Sequence, residues 1–282
     1  MTLFKKLFLA LQHLLPQHLL SRLLGKLAES STPWLKDWLI QQFLQRYPVD
    51  MQSAMIENPQ DYPTFNSFFT RQLKPSLRPI VQNPEQIACP VDGCISEWGT
   101  LRSNLLLQAK NFYFDLETLL GACPKDIKPF YDGSFATFYL APHNYHRVHM
   151  PFSGQLRKTI YIPGKLFSVN RLTTDMLPGL YSRNERLVCF FDTAIGNMAV
   201  IFVGAMVVGS IQTVWEKDAP RATRVTTKNY QDIAINRGEE IGYFKVGSTV
   251  IVLFEKDKVQ WNQDLHAQSL VLMGQEIGTE FA

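Results

Sequence analysis

Two hydrophobic periods divide this chain. Up to about residue 75 the apolar residues recur at helical spacing: Phe4, Leu7, Phe8, Leu11, Leu14 and Leu15 form one stripe, with Lys5, Lys6, Gln12 and His13 mostly off it. Pro16 ends that run, and Leu19, Leu20, Leu23, Leu24 and Leu27 repeat the pattern, with Arg22 and Lys26 on the polar side. Ser31-Thr32-Pro33 is an N-cap followed by proline at the first helical position, which predicts a third helix through WLKDWLIQQFLQRY, and a short fourth is expected over Phe65 to Leu73. Beyond Pro90 the texture changes to short runs rich in β-branched and aromatic residues, among them CISEWGT, FATFYL, LRKTIYIP, RLVCFFD, MAVIFVGAMVVGSIQTVW and STVIVLF, punctuated by Gly, Pro and Asn. The polar stretch from 216 to 235 reads as an exposed loop. The expected fold class is α+β, with N-terminal amphipathic helices (residues 1–75) attached to a β-rich body (residues 76–282).

Composition adds bounds. An apolar content of 46% over 282 residues supports a substantial core. Cys89, Cys94, Cys123 and Cys189 show no CxxC pairing and suggest no disulfide framework, so a reducing compartment is the default. A net charge of +3 and the lack of a long basic run argue against nucleic acid. Charge matters where it is concentrated: before Glu29 the chain holds Lys5, Lys6, Arg22 and Lys26 and no acid. Neither leucine run reaches the roughly 20 apolar residues of a spanning helix, and no small-x-small cleavage site follows LFLAL, so the segment is read as retained. A basic amphipathic pair suits an anionic membrane surface; the alternative is that the leucines pack on the domain or on a second subunit.

Three of the six histidines, His143, His146 and His149, lie in YLAPHNYHRVHMP. Pro142 and Pro151 argue against a helix there, and on a strand a spacing of three puts successive histidines on opposite faces, so no metal site is expected. Asp92 in ACPVDGCIS and Ser248 in KVGSTV complete a possible set. A serine hydroxyl is a weak nucleophile until a base takes its proton, and a carboxylate that stabilises the cationic base improves it. Taken singly, Asp-Gly in a turn and Gly-Ser before a strand are more often structural.

In combination, YLAPHNYHRVHMP, PGKLFSVN, NERLVCFFDT, VGAMVVGSIQTVW and KVGSTVIVLF make the chain resemble the phosphatidylserine decarboxylases, from about Phe65 to about Gly274. Val246 stands where many members carry leucine before Gly-Ser-Thr, and His143-Asn144 stands where relatives often have a basic residue and Asp. The resemblance implies that the chain cuts itself between Gly247 and Ser248. Asp92 and His149 would activate Ser248, which becomes a pyruvoyl cofactor. It further implies that phosphatidylserine forms a Schiff base with that group and loses CO₂ to give phosphatidylethanolamine, with His146 as proton donor. Arg147 is a weak candidate for meeting a phosphate, its alternative being an ion pair, and Ser168 a weak candidate for lining the pocket.

Also implied are continued association of the two chains, a homodimer, and peripheral attachment to the cytoplasmic face of the cell membrane. Two rival readings remain: a Ser-His-Asp hydrolase, which lacks a G-x-S-x-G elbow, and a lipid-binding module that keeps an intact chain.

Overall fold

The β-branched run after Gly247 does enter a core. In the computed structural model, which describes residues 3–109, 112–205, 211–216, 222–245 and 248–281, Ser248–Phe254 is a fully buried strand near the middle of a nine-stranded antiparallel sheet. Ser134–Leu140 pairs with it on one side, putting Ser248 opposite Leu140, and Gly196–Val203 pairs on the other. The sheet continues outward through Arg186–Thr193 and Gly154–Ile162 in one direction, and through Gly93–Thr100 and Leu270–Val271 in the other.

Because side chains alternate along a strand, the central strand feeds two cores. Val250, Val252 and Phe254 join Phe138, Val148 and Phe244 on one face; Ile251 and Leu253 join Phe190, Ile201 and Leu120 on the other. A three-stranded sheet, Ile211–Thr213, Glu240–Phe244 and Arg147–His149, packs beside this body and carries the histidine motif, with Glu240 opposite His149 and Tyr243 opposite Arg147.

The α+β expectation holds, with local differences. The polar stretch expected as a loop contributes two short strands, Thr226–Asn229 and Ala234–Ile235, both paired to Gly154–Ile162. Residues 206–210, inside the long apolar run, lie outside the described residues, as do 217–221. The fourth helix stops at Phe69, four residues early, after a capping box between Thr64 and Ser67; Leu73 instead bridges to Ala54. Thr32 occupies the N-cap of the third helix, yet its side chain makes no capping hydrogen bond; its hydroxyl accepts from Ser30. All four cysteines are free.

Helices α1 (Leu3–Leu14), α2 (Gln17–Ala28), α3 (Pro33–Arg46) and α4 (Phe65–Phe69) occupy the N-terminal part. Their docking is the reverse of the usual leucine-inward arrangement. The side chains of Phe4 to Leu7 and of Leu14 lie outside the described residues. Of the polar positions that break the leucine runs, Gln12 and Gln17 are buried and His18, though exposed, reaches the body. Gln12 accepts from the Ser168 amide at 2.8 Å, Gln17 accepts from the Leu166 amide at 2.7 Å, and His18 Nε2 donates to the Gly164 carbonyl at 2.9 Å. The helices thus complete the backbone hydrogen bonding of the PGKLFSVN segment, which is irregular there and needs partners. Leucines of α2 are left outside: Leu19 is 57% and Leu23 58% exposed, and Trp34 at the start of α3 is 72% exposed. Among the described residues no helix is long and apolar enough to cross a membrane.

Candidate active site

An apolar cavity of about 420 Å³ lies between these helices and the ends of two central strands of the large sheet. Helix α2 contributes Leu24 and Ala28, α3 contributes Phe43, and the sheet side contributes Leu140, Pro142 and Ser248. Ser248 has no solvent exposure, and its Oγ has no hydrogen-bond partner among the described residues. A buried hydroxyl without a partner costs about 1–3 kcal/mol, so its presence in a largely apolar wall calls for a reason other than stability. Val246 and Gly247, the two residues before it, lie outside the described residues.

His149 ends its strand with both ring nitrogens engaged. Nδ1 lies 2.8 Å from the Gly238 carbonyl, which can only accept, so Nδ1 carries the proton and Nε2 the lone pair. Gly238 has φ +84°, a backbone region that favours glycine, and a Cβ there would strike Ile80. The lone pair on Nε2 accepts the Tyr145 hydroxyl at 3.0 Å. Burial lowers the His149 pKa from the ordinary histidine value and outweighs the Gly238 hydrogen bond and the nearby Glu240 and Asp92 carboxylates, which work to raise it. The imidazole is a neutral base at pH 7.

Asp92 is close, since the His149 amide donates to the Pro90 carbonyl at 2.8 Å, but its carboxylate does not bond the imidazole. Arg78 Nε reaches Oδ1 at 2.8 Å, Nη2 reaches Oδ2 at 2.5 Å, and the Met273 amide donates to Oδ1 at 2.9 Å. Asp92, His149 and Ser248 are therefore not joined as a hydrogen-bonded triad. Asp92 reaches His149 only through its field, Tyr145 occupies Nε2, and Ser248 Oγ has no hydrogen-bond partner among the described residues.

His146 is fully buried and stacks on Phe69 with ring centroids 4.1 Å apart. Its Nε2 donates to the Pro142 carbonyl at 3.2 Å, which leaves the Nδ1 lone pair without a donor. Burial pushes its pKa down to about 3, against the Pro142 hydrogen bond, with the Arg71 charge adding to the fall. His146 does not itself line the cavity; Pro142, which it holds, does. His143 and Asn144 sit in the preceding turn, their carbonyls facing the buried Arg71 at 2.9 and 3.5 Å.

Of the two weak candidates, Ser168 lines the cavity and Arg147 does not. The Arg147 guanidinium is committed to Glu240 at 2.8 and 2.9 Å and to the Thr70 carbonyl at 2.9 Å, and it lies over the Tyr243 ring, the geometry of the ion-pair alternative. No group of three or more metal-ligating side chains occurs among the described residues.

The family model described as Phosphatidylserine decarboxylase matches residues 65–279, a span that holds Asp92, the histidine motif and Ser248. The chain belongs to the phosphatidylserine decarboxylase family. A second model, described as PSD, matches residues 7–48, the region of α1 to α3. Similar proteins include the phosphatidylserine decarboxylase proenzymes of Hahella chejuensis, 46% identical over 99% of this chain and 95% of the relative, and of Acinetobacter baumannii strain AYE, 46% identical over 97% of this chain and 96% of the relative. That of Coxiella burnetii strain RSA 331 is 49% identical over 94% of this chain and 95% of the relative.

For this member of the phosphatidylserine decarboxylase family, sequence reasoning missed Arg78, Gly238 and the capping role of Tyr145. Arg78 in SLRPI and Gly238 in NRGEE carry no local motif. Tyr145 lies within the histidine motif, but only the fold brings its hydroxyl to the ring four residues on.

Proposed function

We propose that this chain is a phosphatidylserine decarboxylase that cuts itself between Gly247 and Ser248 and makes its pyruvoyl group from Ser248. The observation that carries the reading is the buried, unpartnered Ser248 hydroxyl on the wall of an apolar cavity, in a chain whose relatives are named proenzymes. A group built in place from that side chain faces the cavity without needing a separate binding site, so the residues present fit it.

His149, neutral and held as the Nδ1–H tautomer by Gly238, is the base for Ser248. To act, its Nε2 exchanges the Tyr145 hydroxyl for that of Ser248. The serine oxygen then attacks the Gly247 carbonyl, and the peptide bond becomes an ester as nitrogen leaves with the proton. Elimination of the Gly247 carboxylate leaves dehydroalanine at position 248, and water converts it to pyruvoyl with loss of ammonia. The Asp92 carboxylate, fixed by Arg78 and the Met273 amide, supports the transient imidazolium by its field. The pyruvoyl carbonyl supplies an electron sink for the decarboxylation, which no ordinary side chain offers. His146 is assigned the delivery of a proton to carbon after CO₂ leaves, for which its ring has to turn from the Phe69 stack into the cavity.

The cut chains stay together in this reading, because Ser248–Phe254 is buried and hydrogen-bonded on both sides to strands of the large chain. The exposed leucines of α2 and the two exposed tryptophans Trp34 and Trp38 are suited to the membrane interface, where Arg22 and Lys26 favour an anionic, cytoplasmic-facing leaflet. Changing both Leu19 and Leu23 to Asp is expected to lower partitioning onto anionic vesicles at least ~100-fold, since each leucine contributes about 1.5–3 kcal/mol when buried. Vesicle sedimentation checks this, and undiminished binding would remove α2 from the docking face.

Intact mass spectrometry of freshly purified protein under denaturing conditions tests the central reading. Two species are expected, residues 1–247 and residues 248–282, the latter beginning with pyruvoyl in place of serine. A single unmodified chain that persists in the presence of membranes would refute it.

A further inference from the structure

One more cavity-lining side chain carries an unanswered hydrogen-bond group. Asn66, in α4, is 5% exposed, lines the same cavity as Ser248, and has an Oδ1 with no donor among the described residues. The other carboxamide and serine side chains of the wall are answered locally. Asn170 Oδ1 accepts from the Thr173 amide and hydroxyl, each at 3.0 Å. The Ser168 amide is held by Gln12, and its hydroxyl accepts from the Asn170 amide at 3.4 Å. Ser248 is consumed when the cofactor forms.

The Asn66 amide is oriented by chemistry as well as by packing. It stabilises the carboxylate of Glu29, just past α2, which also takes the Lys245 ammonium at 2.6 Å. A carboxylate only accepts, so the NH₂ group turns toward Glu29 and the carbonyl oxygen is the atom left over. Burial works to raise the Glu29 pKa, and the hydrogen bonds from Lys245 and Asn66 overcome it, leaving it lowered. Glu29 thus remains ionised and keeps the amide facing one way.

We infer that Asn66 Oδ1 receives an N–H of the substrate's amino group and orients that amine toward the carbonyl made from Ser248. A phospholipid entering this wall brings many acceptors in its phosphate and ester oxygens and one concentrated donor, its amine, and a buried lone pair in an apolar wall selects the donor. Asn66 would then be a substrate-contacting residue that distinguishes an amine-bearing headgroup from one without it. The inference rests on the reading of the chain as a phosphatidylserine decarboxylase.

The test uses mature, cleaved enzyme and two competitors with the same acyl chains: phosphatidylethanolamine, which has the amine, and phosphatidylglycerol, which lacks it. Decarboxylation of phosphatidylserine by the parent protein comes first; its absence would sink the functional reading itself, independently of Asn66. Asn66→Leu and the smaller Asn66→Ser are then compared with the parent, and their conversion to two chains reports on folding. Both are expected to raise the inhibition constant of phosphatidylethanolamine at least about tenfold, as for loss of a hydrogen bond to a charged group, with that of phosphatidylglycerol changed less than about twofold. KM for phosphatidylserine should rise with it. Equal changes for the two lipids, or no change for either, in whichever variant matures would overturn the assignment, because a purely structural role through Glu29 acts on both lipids alike.

Discussion

Ser248→Ala is expected to stay a single uncut chain with no measurable decarboxylation, while folding at least as well as the parent. The first half follows from chemistry: without Oγ there is no ester, no elimination and no carbonyl at position 248. The second half follows from the structure. The hydroxyl has no solvent and no partner among the described residues, so its removal breaks none of their hydrogen bonds and relieves the desolvation of a polar atom. Alanine keeps the Cβ, and the pairing to Leu140 is made by backbone. Denaturing gels or mass spectra read the cut and thermal unfolding reads the fold; an unchanged or raised Tm with an intact chain is the expected pair of results. A variant that still splits at 247 would show that the hydroxyl is not the nucleophile. A variant that is intact but strongly destabilised would show that the hydroxyl has a structural partner after all.

His146→Gln is expected to cut normally and to lose at least about a hundredfold in turnover, the usual scale for a proton-transferring side chain. Glutamine is the informative replacement because its NH₂ can still donate to the Pro142 carbonyl, so the cavity wall that His146 supports is retained, whereas alanine would also remove the stacking on Phe69. The same variant has a signature in stability. In the folded parent His146 takes no proton until pH about 3, whereas an unfolded chain protonates it near the ordinary value of 6.5. The unfolded state therefore binds the extra proton as pH falls below 6.5, and native stability is lost progressively down to about 3. Glutamine does not titrate, so acid should destabilise His146→Gln less steeply than the parent over that window, measured by denaturant unfolding at stepped pH. Parental turnover in the cleaved variant would remove His146 from the proton transfers. An identical pH slope would show that its burial is not what makes the fold acid-sensitive.

His149 sets a different pH dependence. Its lowered pKa keeps the base neutral across the neutral range, so the rate of self-cleavage should be flat from about pH 7 upward and fall only in acid. Following chain conversion in pH-jump experiments gives the profile.

Much of this was legible along the chain. Short runs of β-branched and aromatic residues bounded by Gly, Pro and Asn identify STVIVLF, RLVCFFD and FATFYL as strands whatever they pair with, because composition over a few residues is a local property. The order of Asp92, the histidine motif and Gly247-Ser248 points to one chemistry because those residue types together in that order are rare. Period alone could not say which side of α1 and α2 faces the protein. A leucine stripe can be buried or presented outward, and the choice was made by Gln12, Gln17 and His18 finding the unpaired backbone of residues 164–168, some 150 positions away. Likewise the sequence supplies Asp92, His149 and Ser248 but not their bonds. Arg78 and the Met273 amide hold the acid, Gly238 and Tyr145 fill the two nitrogens of the imidazole, and Ser248 Oγ and Asn66 Oδ1 are left without a hydrogen-bond partner among the described residues. Hydrogen bonds are settled by which donors the fold brings within 3 Å, and that is decided only when distant strands and loops pack together.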